Sequence, residues 1–84
     1  MSDTLSRDVI DAFVTDTLVA FGIERGRITV ESSFDELGVD SLDVVELSQA
    51  LQKELGVPVR PKDFDENQTV GQVLEYVYRA AGLR

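Results

Sequence analysis

Leu37-Gly38-Val39-Asp40-Ser41-Leu42-Asp43-Val44-Val45-Glu46-Leu47 decides how the rest of this chain reads. It sets one serine where a glycine-bearing loop meets a strong helix pattern. That pattern begins at Leu42 and runs to Leu55. Asp40 suits the cap position, because its carboxylate can accept a backbone N–H of the first turn. Asp43 puts a second carboxylate in that turn, favourable against the helix dipole. Ser41 is then the first helical residue, with its hydroxyl beside several unpaired N–H groups. A phosphate attached there would meet donors and the positive end of the dipole.

The helix itself is predicted from about Ser41 to Leu55. At about 100° per residue, Val44, Leu47, Leu51 and Leu55 fall within about 80° of one another and form the core stripe. Leu42 and Val45 do not belong to it. They lie on the other side, with Glu46 and Gln49, and two apolar residues among polar ones suggest a contact surface. Scattered surface leucine and valine are common, and spacing alone does not separate the two readings. Gly56 closes the helix.

Upstream, Met1 to about Thr4 is a short start. A helix is predicted over roughly Leu5 to Phe21, with Ile10, Phe13, Val14, Thr17, Leu18 and Phe21 at i, i+3, i+4 spacing. Asp3 or Thr4 is its expected cap, and Gly22 its left-handed stop. Residues 22–40 form a long connection. A structureless run of that length is uncommon in a compact domain, so Ile28, Val30, Phe34, Leu37 and Val39 are expected to pin it to the core. Ser33-Phe34-Asp35-Glu36 resembles a capping box and predicts a brief helical turn.

Downstream, Val57-Pro58-Val59-Arg60-Pro61 reads as extended, because each proline disfavours helix in the residue before it. Residues 62–67 fit one short turn, with Pro61 at its first position or just before it. Asp63, Asp65 and Asn67 share the 1, 3, 5 spacing of a calcium loop. Gln68 then stands where that loop needs glycine, and Leu74 where it needs glutamate, so a solvated acidic turn is the better reading. The last helix is predicted from about Val70 to Ala81. Thr69 with Gln72 makes its capping box. Val70, Val73, Leu74, Val77 and Ala81 make its stripe, Tyr76 and Tyr78 flank that stripe with wet hydroxyls, and Gly82 stops the helix.

Composition narrows the chemistry. Eighty-four residues predict one domain over 1–84. Cysteine is absent, which removes disulfides and thiolate metal sites and is compatible with a reducing, cytoplasmic setting. Histidine is absent too, so Ser-His and Cys-His catalysis are excluded within the chain. No stretch reads as a signal peptide or a membrane span. Sixteen acids against eight bases give a net charge of −8, which disfavours nucleic acid and favours basic protein surfaces as partners. Between Arg27 and Lys53 lie Glu31, Asp35, Glu36, Asp40, Asp43 and Glu46, with no base among them. The acids cluster around the serine. Three substantial amphipathic helices and a short one predict an all-α, small four-helix bundle with a long loop after its first helix.

Gly38-Val39-Asp40-Ser41-Leu42, followed by Asp43-Val44-Val45-Glu46-Leu47, resembles the attachment site of acyl carrier proteins, and the flanking helices fall where that family has them. The resemblance implies a freestanding, non-enzymatic carrier of the same helical fold. It implies that Ser41 bears 4′-phosphopantetheine through a phosphodiester, with Asp40 as the motif's aspartate and helix cap. Coenzyme A would be the donor, and a phosphopantetheinyl transferase with magnesium would supply the activation that a lone serine lacks. The thiol of the group would then carry acyl intermediates as thioesters to acyl-transferring and condensing synthases, the protein supplying position and address. In the family this helix recognises partner enzymes, which makes Leu42, Asp43, Val45, Glu46, Gln49 and Glu54 the docking residues expected here. Gln52 and Lys53 depart from that pattern, standing where the family often has further acids. One glycine before the serine leans toward acyl and away from peptidyl or aminoacyl carriers. Fatty acid and polyketide carriers share Asp-Ser-Leu, and both stay open. An acidic helical interaction domain whose serine is never modified is the reading of a different class. A monomer is expected.

Overall fold

The computed structural model describes residues 5–65 and 68–83. Its first helix, α1 (Arg7–Ala20), starts on Ser6. The Ser6 hydroxyl accepts the Val9 N–H at 3.2 Å, which is the N-cap bond that Asp3 or Thr4 was expected to make. Those two residues lie outside the described ones. Ile10, Val14 and Leu18 of the predicted stripe are buried, while Phe13, Thr17 and Phe21 are half-buried at its edge. The Thr17 hydroxyl donates back to the Phe13 carbonyl, which satisfies it at the edge of the core. Gly22 takes the left-handed conformation just past the helix end.

The loop after α1 is not structureless. A 3-10 turn covers Arg25–Arg27, and α2 (Phe34–Leu37) is the predicted capped turn. Ser33 accepts the Glu36 N–H while the Glu36 carboxylate accepts the Ser33 N–H. Phe34, Leu37 and Val39 are buried and Ile28 is half-buried, as the pinning argument requires. Val30 is not: its residue is 60% exposed, and Ile23 is buried in addition. The reason lies in the backbone. Val30 contributes its carbonyl, which accepts the Gly71 N–H at 2.9 Å, while the Ser32 carbonyl accepts the Val70 N–H at 2.8 Å. The loop therefore caps the start of α4 (Val70–Ala80) with main-chain oxygens.

The helix α3 (Ser41–Leu55) has the predicted bounds. Val44, Leu47 and Leu51 are buried, and Leu55 is half-buried. Ser48 is fully buried in the same stripe, its hydroxyl donating to the Val45 carbonyl at 2.9 Å. The chain then runs extended, with Val57 and Val59 buried and Pro58 and Arg60 exposed. Gln52 ties this run to α3 by donating its side-chain amide to the Val59 carbonyl. A 3-10 turn follows at Pro61–Asp63, with Pro61 as its first residue. It begins one residue before the predicted turn, and residues 66 and 67 of that prediction lie outside the described ones.

In α4 the stripe is Val70, Val73, Leu74, Val77 and Tyr78, all buried. Ala81 is half-buried beyond the helix end. The tyrosine hydroxyls are not left to water. Tyr76 donates to the Asp63 carboxylate at 2.7 Å, and Tyr78 donates to Asp11 of α1. Arg7 lies over the Tyr78 ring, 5.0 Å from its centroid. The result is a small all-α bundle in which α1 packs on α3 and α4, and the 61–63 turn packs on α3. Among the described residues no helix is long and apolar enough to cross a membrane.

Candidate functional site

Three residues separate α2 from α3, and each has a distinct task in placing Ser41. Gly38 ends α2 at φ 77, a conformation that side-chain-bearing residues rarely adopt. Val39 is buried, and its N–H donates to the Phe34 carbonyl at 2.9 Å. Asp40 is extended and caps α3: its Oδ1 accepts the Asp43 N–H at 2.9 Å. Asp43 answers with its own Oδ2, which accepts the Asp40 N–H at 3.4 Å. Asp43 is thus half of a reciprocal box, as well as an acid near the dipole. With the loop anchored and the cap closed, Ser41 stands exposed as the first residue of the helix.

The first turn of α3 is left open where that of α4 is not. In α4 the first two N–H groups go to the Ser32 and Val30 carbonyls and the third to Thr69 Oγ1. In α3 the third goes to Asp40, but among the described residues nothing accepts the N–H of Ser41 or of Leu42. Two unpaired donors at the positive end of a fifteen-residue helix favour an anion at Ser41.

Ser41 also stands at one side of an open cleft of about 440 Å³ between α3 and the 61–63 turn. Val44, Val45, Pro61 and Phe64 line it with apolar surface, and Lys62 and Asp65 add one charge of each sign. Phe64 is held there by an edge-to-face contact with Tyr76, ring centroids 5.7 Å apart. A larger cleft, about 520 Å³, lies at the far end of α3 along residues 56–60 and shares no lining residue with the serine.

The sequence-predicted docking residues do not all share one face. At about 100° per residue, Leu42, Glu46, Gln49 and Lys53 fall within about 60° of one another on α3, while Asp43 and Glu54 lie together about 100° away. Leu42 is 66% exposed and is the apolar centre of the first group. Val45 is half-buried and lines the serine cleft. Lys62 and Phe64 read in the sequence only as part of the short turn over residues 62–67, because only the fold of residues 57–64 brings them to the serine cleft.

Among the described residues no group of carboxylates is arranged to hold a metal ion. Asp63, the first residue of the calcium-like spacing, is engaged by Tyr76 and by the Arg60 N–H. Asn67 lies outside the described residues.

Comparison with known proteins places these features in a family. Residues 12–77 match the family described as the phosphopantetheine attachment site. The acyl carrier proteins of Clostridium perfringens strains SM101, ATCC 13124 and 13 are each 41% identical to this chain over 71 residues. The matched stretch covers 83% of this chain and 90% of each relative. The described helices and these likenesses agree. The chain belongs to the acyl carrier protein family, as a carrier and not an enzyme, with 4′-phosphopantetheine as its prosthetic group.

Proposed function

We propose that Ser41 is the attachment point of the phosphopantetheine, and that the chain, as one carrier domain over residues 1–84, presents acyl intermediates to enzymes of fatty acid or polyketide biosynthesis. The observation that carries this reading is the open first turn of α3, where Ser41 is exposed and, among the described residues, nothing accepts the Ser41 and Leu42 N–H groups. Ser41 Oγ forms the new phosphoester bond as the phosphoanhydride of coenzyme A breaks and adenosine 3′,5′-bisphosphate leaves. The serine proton passes to a base of the transferase, because this chain has no histidine to take it. When bound, the group supplies a thiol that holds acyl groups as thioesters.

The protein's own share is placement and address. Asp40 and Asp43 lock the first turn so that Ser41 keeps one direction relative to α3. Leu42, Asp43, Val45, Glu46, Gln49 and Glu54 form the surface offered to the transferase and to synthases with basic docking surfaces. Tethering holds the cargo at high effective concentration beside each docked enzyme. A cytoplasmic monomer is the form in which it works.

Reconstitution tests the reading. The phosphopantetheine-bearing chain should accept an acyl group from an acyl transferase and give it up to a condensing enzyme of a fatty acid or a polyketide system. The system that turns it over identifies the pathway. A loaded chain that neither system can acylate or discharge contradicts the function.

A further inference from the structure

Among the described residues that line the serine cleft, Lys62 is the one cation. No base lies between Arg27 and Lys53, whereas Glu31, Asp35, Glu36, Asp40, Asp43 and Glu46 do. A phosphodiester on Ser41 adds a further negative charge to that region. The Ser41 and Leu42 N–H groups, with no acceptor among the described residues, lie at the same helix end. Lys62 lies across the cleft, on the turn packed against α3.

Two neighbours bear on whether Lys62 is available. Asp63, beside it in the chain, makes its hydrogen bonds elsewhere, its Oδ2 accepting the Tyr76 hydroxyl at 2.7 Å and the Arg60 N–H at 3.0 Å, and the charge of Lys62 adds a weaker attraction to the same carboxylate. Asp65 shares the cleft and competes with a phosphate for the ammonium. Arg25 pairs with Asp16, away from the cleft.

We propose that Lys62 is a positioning residue for the prosthetic group: its ammonium pairs with the phosphodiester on Ser41 across the cleft that both residues line. This rests on Ser41 as the attachment point. The ammonium acts as a point charge on a flexible stem, so it follows the phosphate without fixing its rotation.

The chain has two lysines, which makes the test internal. Lys53 lies on α3 outside the cleft and serves as the reference. The full chain, before and after loading by a transferase with coenzyme A, is treated with formaldehyde and a mild borane. The methylation rate of each lysine is read by peptide mass spectrometry, with intact mass establishing loading. On loading, Lys62 should slow about two- to fivefold relative to Lys53, the scale of an exposed ion pair. That protection should vanish at about 1 M salt, where the Debye length falls to about 3 Å. Ser41→Ala, carried through the same treatment, should show no change at either lysine. Equal rates before and after loading overturn the proposal, with Asp65 keeping the ammonium. Protection indifferent to salt also overturns it, because the arm then covers Lys62 without pairing. No mass gain on loading overturns the attachment reading itself, and this one with it.

Discussion

Gly71 donates its N–H to the Val30 carbonyl at 2.9 Å, and a Cβ on Gly71 would stand 3.0 Å from that same oxygen and 3.2 Å from Val30 Cβ. A side chain at position 71 would crowd the backbone oxygen with which the long loop caps α4. Through that cap and the Val70 to Ser32 bond, the loop is fastened to α4, and the loop in turn leads through Val39 into Ser41.

Gly71→Ala is therefore expected to destabilise the fold although alanine is the better helix former. Crowding of a backbone oxygen costs about 1–3 kcal/mol, against about 1 kcal/mol gained in helix propensity, for a net loss of about 1 kcal/mol. Urea unfolding of the two proteins checks this. A variant more stable than the parent would mean that Val30 yields freely and that the loop is only loosely fastened.

Leu51 is fully buried in the α3 stripe, so Leu51→Ala should cost about 2–5 kcal/mol. Chemical denaturation measures the loss. Leu42→Ala, at a 66% exposed residue of the same helix, should change stability little. Similar losses at both positions would mean that the helix is turned differently from the arrangement described.

Tyr78 connects the two ends of the chain, with its hydroxyl on Asp11 of α1. Burial, reinforced by the hydrogen bond to Asp11, pushes its pKa up to about 12. A raised phenol pKa gives stability that is whole below the ordinary value near 10 and is lost as pH climbs toward 12. Ultraviolet titration should show a phenol ionising well above the ordinary range, and Tyr78→Phe should remove that late step. Tyr76 is also raised, chiefly by its bond to Asp63, so Tyr78→Phe leaves one elevated phenol and not an ordinary one.

Asp63 responds at the opposite end of the scale. The Tyr76 hydroxyl, then the Arg60 N–H, holds its carboxyl below the usual value of 3.8. A lowered carboxyl pKa gives stability present above the unfolded value and lost as pH falls through the folded one. Asp63→Asn should flatten the acid side of the stability profile below about pH 4, measured by thermal melts across pH. An unchanged profile would remove Asp63 from the contacts that hold the 61–63 turn to α4.

Local chemistry explains why α3 and its serine were legible before any coordinates. Asp40, Asp43 and Gly56 signal both helix ends within a few residues of themselves, and the stripe from Val44 to Leu55 sets the phase. What stayed hidden depends on distant partners. Ser48 reads as polar, yet its hydroxyl is satisfied by its own helix and it packs as core. Val30 reads as an anchor, yet its carbonyl is the part that is used. Val57 and Val59 alternate too briefly between prolines to announce that both are buried. The Tyr78 to Asp11 bond spans 67 residues, and no window of sequence contains it. Separation in sequence likewise conceals that Lys62 and Ser41 line one cleft.

Docking through α3 should depend on charge. Glu46→Lys should weaken association with partner enzymes, and association of the parent should fall steeply with ionic strength. Binding measured across salt concentrations checks both. Salt-indifferent binding would shift the contact from the acids to Leu42 and its apolar neighbours.

The central claim is that Ser41 accepts the prosthetic group, and intact mass tests it most directly. The chain is incubated with coenzyme A, magnesium and a broad-specificity phosphopantetheinyl transferase, beside Ser41→Ala. The account predicts a gain of one phosphopantetheine on the parent and none on the variant, with the circular dichroism of both unchanged because Ser41 is exposed. No gain on a folded parent with several transferases, or an equal gain on Ser41→Ala, would contradict it.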